Sequence, residues 1–270
     1  MTLFLFGLLA GLIRTARIEV SVFERAAASE IGSKLQGSLK DVSVRTDVGP
    51  EAIFGDVHQV KIRASHFQTN SLPLFTEPKR SHRGTLRNLS LDLSDFSVGD
   101  LHLNRLSAEI PNCCFDLPLA IHHKQFRLSA SGTGVGTAVL SSTDLEKFIL
   151  AKFRDVEKIN VTMNHDKITL EGLGRFLIVK TKFRIMAKLT CDDGNSLHLK
   201  YAHVSFDGRD TTQELRDAIL ETLDPIIDLK RDLGLEGAIS VQNILMHENF
   251  MTVSGPATIP VDPSYPLKKP

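Results

Sequence analysis

Residues 86–98, LRNLSLDLSDFSV, alternate apolar and polar positions and then change phase once, near Ser94 and Asp95. Leu89, Leu91 and Leu93 share one side of an extended chain, and Phe96 and Val98 rejoin it only if one residue is passed over. The pattern predicts a strand with one dry face and a β-bulge that bends it. The habit recurs. Residues 177–189 put Leu177, Val179, Thr181, Phe183, Ile185, Ala187 and Leu189 on one face, along about 43 Å of strand. Residues 197–206 group Leu197, Leu199 and Tyr201, then slip to Val204 and Phe206. Shorter strands are expected at 42–48, 52–67, 101–110, 114–121 and 124–131.

Residues 17–39 follow a helical period instead. Ile18, Val22 and Ala26 make one row, Ala27, Ile31, Leu35 and Leu39 the next, and Phe23 bridges them. Two capping boxes open shorter helices, Thr143 with Glu146 and Thr211 with Glu214. Asp224-Pro225 stops the second. After each helix comes a hairpin, and 161–172 (VTMNHDKITLEG) aligns without gaps against 244–255 (ILMHENFMTVSG). A repeated helix-plus-hairpin unit and a chance likeness explain this equally well.

The expected fold is α+β: a long, bulged, strongly curved antiparallel sheet wrapped around the N-terminal amphipathic helix, with two further short helices. Such a wrap leaves an elongated apolar cavity. Its lining is expected from Phe23, Ala27, Ile31 and Leu35 on the helix and Leu89, Leu91, Leu93, Phe96, Phe183 and Ile185 on the sheet, with Phe148 and Ile149 beside them.

Composition narrows the function. Hydrophobic residues make up 42% and charged residues 24% of 270, as in a folded globular chain. Lys plus Arg balances Asp plus Glu at 32 each, so no bulk charge points to nucleic acid. Tryptophan is absent and there are two tyrosines, which argues against aromatic cages and base-stacking platforms. Cys113, Cys114 and Cys191 form no C-x-x-C pair and suit neither a disulfide framework nor a zinc site.

The run 3–13 is apolar and uncharged, and as a helix spans about 16 Å, too short for a bilayer. It has the length of a signal-peptide core but no positive residues before it and no A-x-A after it, so an export or anchoring segment and a buried helix stand equal. The chain divides into this leader (1–15), one domain (16–255) and a Pro-rich tail (256–270), expected to be extended and unpacked.

Candidate chemistry is sparse. GTGVGT (132–137) lacks the dinucleotide-binding spacing and is expected as a turn between sheet and helix. His122, His123, His198 and His203 have no metal-ligand spacing, and neither G-x-S-x-G nor H-E-x-x-H occurs. No metal, cofactor or catalytic pair is expected. Two surface features bear on lipid. Lys180, Lys182, Arg184 and Lys188 form a basic row, either a headgroup contact or a solvated outer face. In the loop 68–84, Leu72, Leu74 and Phe75 stand beside Lys79 and Arg80, either a membrane contact or a segment folded back on the sheet.

The order of these elements carries a resemblance. KLQGSLKDVSVRTDVGPEAIFGDVHQVKIRA, GTLRNLSLDLSDFSV, LSSTDLEKFI, VTMNHDKITLEG and LDPIIDLKRDLGLEGAISVQNILMHENFMTVSG, over roughly 16–255, are similar to the LmeA-like family of bacterial envelope proteins. The resemblance implies a phospholipid-binding protein with a fold like tubular lipid-binding domains, linked to envelope lipid or glycolipid processes and usually bearing an export signal or anchor. This chain departs at its leader, which lacks a positive start. The combined expectation is non-enzymatic binding or carriage of a phospholipid or other acyl lipid, with peripheral membrane contact, in the cell envelope or periplasm. If the leader is no export signal, the place is cytoplasmic. The alternatives are a structural protein with a filled core that recruits a partner, and an enzyme on envelope lipids.

Overall fold

The computed structural model describes residues 19–165, 167–176 and 179–263; the run 3–13, Leu177, Ile178 and the tail past 263 lie outside them. Helix α1 (19–34) is followed by β1 (Asp41–Asp47), a 3-10 turn (Pro50–Phe54), β2 (Asp56–Thr69), β3 (Gly84–Val98) and β4 (Leu101–Phe115). Next come α2 (Leu117–His123), β5 (Leu128–Ala130), β6 (Gly134–Ser141), α3 (Ser142–Lys152), β7 (Val156–Asn164), β8 (Lys167–Phe176), β9 (Val179–Thr190) and β10 (Ser196–Phe206). The chain continues through β11 (Arg209–Asp210), α4 (Gln213–Leu223), β12 (Ile227–Asp228), β13 (Asn243–His247) and β14 (Phe250–Ala257).

The α+β class holds, and its strands divide between two sheets. The first runs β1-β2-β3-β4-β6-β14-β13, with β5 on β4; the second runs β11-β10-β9-β8-β7, with β12 on β10. The second curls into an antiparallel half-barrel. Helix α1 lies on the first sheet, burying Ala27, Ile31 and Leu35. Its buried Glu24 ties it to β1 by accepting from the Thr46 backbone N–H at 2.6 Å and from Arg45 at 3.2 Å.

The phase change in β3 sits where the pattern placed it, between buried Leu93 and buried Phe96. Both neighbours change phase beside it: Ala64 and Phe67 are buried on β2, and Leu103 and Ala108 on β4. Each strand takes the extra residue together, so the ladder stays in register, Ser94 opposite Arg105 and Phe96 opposite Leu103. His66 and Asp95 absorb it with φ of 55° and 50°. The Asp95 carboxylate is held by His102 (2.9 Å) and by His66, which keep it below the usual carboxylate range. The slip in β10 falls earlier than the pattern suggested. The bulge lies between Lys200 and His203, and it turns Tyr201 outward to 90% exposure, off the dry face.

All pairs are antiparallel except β2 with β3. A parallel connection must return the length of the strand, about 46 Å for fourteen residues, which is close to the greatest reach of a chain of that length. Residues 70–83 therefore run extended along the sheet, and Thr76 bridges Leu128 and Val261 on the way. That route buries Leu74 and half-buries Leu72 and Phe75, while Arg80 pairs with Glu77.

Three local expectations need correction. The strand expected at 114–121 stops at Phe115, the end of β4: Asp116 accepts from the Leu119 N–H at 3.1 Å and Pro118 lies in the first turn of α2, because a residue without an N–H suits that position. GTGVGT is not a turn. Gly134 and Gly136 lie inside β6, and a Cβ on Gly134 would stand 1.8 Å from the Glu109 carbonyl oxygen, so glycine is what lets β6 approach β4. The tail is extended but packed through residue 262: Ala257 ends β14, Ile259 is buried, and the Thr76 N–H donates to the Pro260 carbonyl at 2.9 Å.

Candidate functional site

An open apolar cleft of about 330 Å³ lies beside the N-terminal half of α1. α1 supplies Val20 and Phe23, the start of β2 supplies Val57 and Val60, and Val48 and Ala52 come from the chain between β1 and β2. Phe115 at the end of β4, Leu117, Ala120 and Ile121 on α2, Phe126, and the polar Thr46 of β1 complete the wall. In the aromatic wall Phe126 meets Phe23 edge to face, with ring centroids 6.1 Å apart, and Phe115 at a tilt, with centroids 6.2 Å apart. Glu19 and Lys124 form an ion pair at the mouth.

Two further spaces lie against the first sheet, each more enclosed than the cleft and about 50 Å³. One gathers Ile31, Ile62, Ala64, Phe67, Leu72, Leu74, Leu91, Leu93, Phe96 and Ile259; the other lies among Leu101, Leu103, Leu140, Leu197, Ile227 and Met251. They share Leu106 and Leu235. Such a space equals the volume of one or two waters, at about 30 Å³ each, and holds no acyl chain as it stands.

The expected lining is spread among these places. Phe23 lines the open cleft, and Ile31, Leu91, Leu93 and Phe96 line the first enclosed space. Ala27, Leu35 and Leu89 are core residues that line none of the three. Phe148 and Ile149 are buried on α3, which packs on β7 and β4, and Phe183 and Ile185 face the inside of the second sheet. The sheet residues expected to meet α1 are thus divided between two sheets. The α2 side of the cleft went unseen because 114–121 resembles a strand; the signal was Asp116 two residues ahead of Pro118, a helix start.

On the outer face of β9, Lys180 pairs with Glu157 and Arg184 with Glu171 (2.9 Å), while Lys182 and Lys188 stand exposed. Burial pushes the Cys113 thiol up, and burial with the nearby Asp193 carboxylate pushes Cys191 up. Neither is a ready nucleophile. Among the described residues no three His, Cys, Asp or Glu side chains gather to hold a metal ion, and no helix is long and apolar enough to cross a membrane.

Residues 14–246, from the approach to α1 through most of β13, match the family described as LmeA-like phospholipid-binding. The chain belongs to that family. Neither a curated protein nor a solved structure matches it. For an LmeA-like phospholipid-binding chain the partner is a lipid, and the open cleft has the chemistry an acyl chain requires: Val, Leu, Ile and Phe walls, with charge confined to the mouth.

Proposed function

We propose that the protein binds a phospholipid without chemical conversion, taking part of one acyl chain into the cleft beside α1 and leaving the headgroup at the mouth near Glu19 and Lys124. The supporting observation is an unfilled apolar cleft of about 330 Å³ in a phospholipid-binding family. Ligand pockets run from about 300 to 1,000 Å³, so this one suits a single chain rather than two. Each buried CH₂ contributes about 0.8 kcal/mol, enough for reversible holding by one chain. Accepting a second chain would require the enclosed spaces to open into the cleft.

Native mass spectrometry of gently purified protein tests this directly. A lipid-sized adduct is expected, and Ala120→Phe, which fills the cleft from α2, should lose it while the fold is retained. Protein that carries no lipid and takes up none from added phosphatidylglycerol would remove the reading. We propose the cell envelope as the place of action, supported by the family resemblance and the apolar run 3–13. Fractionation of cells expressing the chain, followed by immunoblotting, checks this; recovery in the cytosol alone counts against it.

A further inference from the structure

The mouth of the cleft is also where large apolar side chains reach into water. Phe54 is 80% exposed, Ile121 49% and Val48 36%. Val48 and Ile121 belong to the lining, and Phe54 ends the 3-10 turn whose Ala52 lines the cleft. The next residue, Gly55, lies against Leu117 of the opposite wall, where an added Cβ would come within 2.7 Å of its Cδ2. Charges around this rim are matched in pairs: Arg87 with Asp56 (2.7 Å), His58 with Glu51 (2.6 Å), Lys124 with Glu19. What the rim presents outward is therefore apolar tips set among neutralised charge.

Helix α1 begins at the same spot, where Glu19 and Val20 belong to the mouth.

We propose that the protein docks mouth-down on a phospholipid bilayer, with Phe54, Ile121 and Val48 entering the boundary between headgroups and acyl chains. An acyl chain then moves between bilayer and cleft without crossing water; this last step rests on the lipid-binding reading above, whereas the docking rests on the rim. The geometry assigns membrane contact to this end rather than to Leu72, Leu74 and Phe75, which the extended 70–83 segment turns toward the sheet, or to the basic row of β9, half of which is paired with Glu157 and Glu171. Apolar insertion of this kind binds vesicles with weak dependence on salt, since the rim carries little unpaired charge.

The absence of tryptophan makes the test clean. In full-length Phe54→Trp, adding vesicles of equal parts phosphatidylcholine and phosphatidylglycerol should shift the emission to the blue, and bromine-labelled acyl chains should quench it. Tyr201→Trp, on the outer face of the second sheet, should show neither effect. A Phe54→Trp signal that stays put, or one matched by Tyr201→Trp, overturns the docking even if the run 3–13 carries the protein to vesicles. Lipid retention in native mass spectrometry is read separately. Protein that retains lipid while Phe54→Trp is silent loses only the docking, and protein that docks but holds no lipid loses only the binding reading.

Discussion

The Glu146 carboxylate accepts a hydrogen bond from the backbone N–H of Val161, 2.7 Å away. Val161 is on β7, the last strand in the order of the second sheet, so this contact lets α3 satisfy an edge amide that no further strand reaches. It frees Glu146 from the role its sequence position suggests. The N-cap of α3 is Ser141 rather than Thr143, two residues early, with Ser141 Oγ accepting from the Asp144 N–H at 3.1 Å, and that of α4 is Thr212 rather than Thr211, one residue late. Helix α3 thereby joins the sheets, its first turn against His102 of β4 and its middle against β7.

Glu146→Ala should leave the Val161 amide without its acceptor and cost about 1–3 kcal/mol. Glu146→Gln keeps a carbonyl oxygen in reach and should retain most of that stability. Urea unfolding of the two variants compares them; equal losses would place the effect in packing instead.

At its other end, Lys152 donates to the carbonyls of Pro225 (3.0 Å) and Ile226 (3.2 Å) and pairs with Asp232. The two side chains are only 14% and 10% exposed, so neither charge is well hydrated alone. Lys152→Met leaves Asp232 with the Asp228 backbone N–H (2.8 Å) and Arg231 (3.5 Å), so it should cost about 1–3 kcal/mol, and adding Asp232→Leu should recover part of it. A thermal or urea double-mutant cycle reads both values, and additive losses would contradict the coupling.

Acid should weaken the α3 junction. Burial pushes the Asp144 carboxyl up, but the Ser141 hydroxyl, His102 and Lys147 outweigh it and hold the group below its ordinary 3.8. His102 Nδ1 stands 3.2 Å from Asp144 Oδ2, close but not aligned as a hydrogen bond. A depressed folded value means that the stabilisation is present above the unfolded value and is lost as pH falls through the folded one. Between about pH 5 and about pH 3 the urea midpoint of the parent protein should fall further than that of Asp144→Asn.

Glycines should respond in opposite directions according to their surroundings. A Cβ on Gly172 of β8 would meet the Lys158 carbonyl oxygen at 2.2 Å, and one on its counterpart Gly255 of β14 would meet that of Ser240 at 1.9 Å. Ala at either site should cost about 1–3 kcal/mol by forcing strands apart. Gly32, in helical backbone with Val42 at an ordinary 3.7 Å, should gain about 0.5–1 kcal/mol as Ala. Melting temperatures of the three variants decide the signs.

Those paired glycines also show how far the hairpin likeness extends. Met163 opposes Ile168 and Met246 opposes Met251 in the same register, yet one hairpin serves the second sheet and the other the first. Their turns meet where His165 and His247 pack edge to face, 5.4 Å between centroids.

Alternation in the sequence was sufficient to tell which side of β3 and of β9 stays dry. Leu89, Leu93 and Phe96 are buried as their spacing requires, as are Phe183, Ile185, Ala187 and Leu189, and the α1 stripe of Ala27, Ile31 and Leu35 is buried as its helical period requires. Period is a local property, and a two-residue or 3.6-residue repeat orients a side chain whatever lies across from it. Partnership is not local. Phe183 and Ile185 carry the same signal as Leu91 and Leu93, but β9 pairs with β8 and β10 in the curled sheet while β3 pairs with β2 and β4 in the other, because strand pairing depends on residues far apart in the chain. The cleft was less legible still. Its 330 Å³ is the space left over when side chains from α1, β2, β4, α2 and the segments between them fail to fill their common volume, and only the folded chain settles a remainder of that kind.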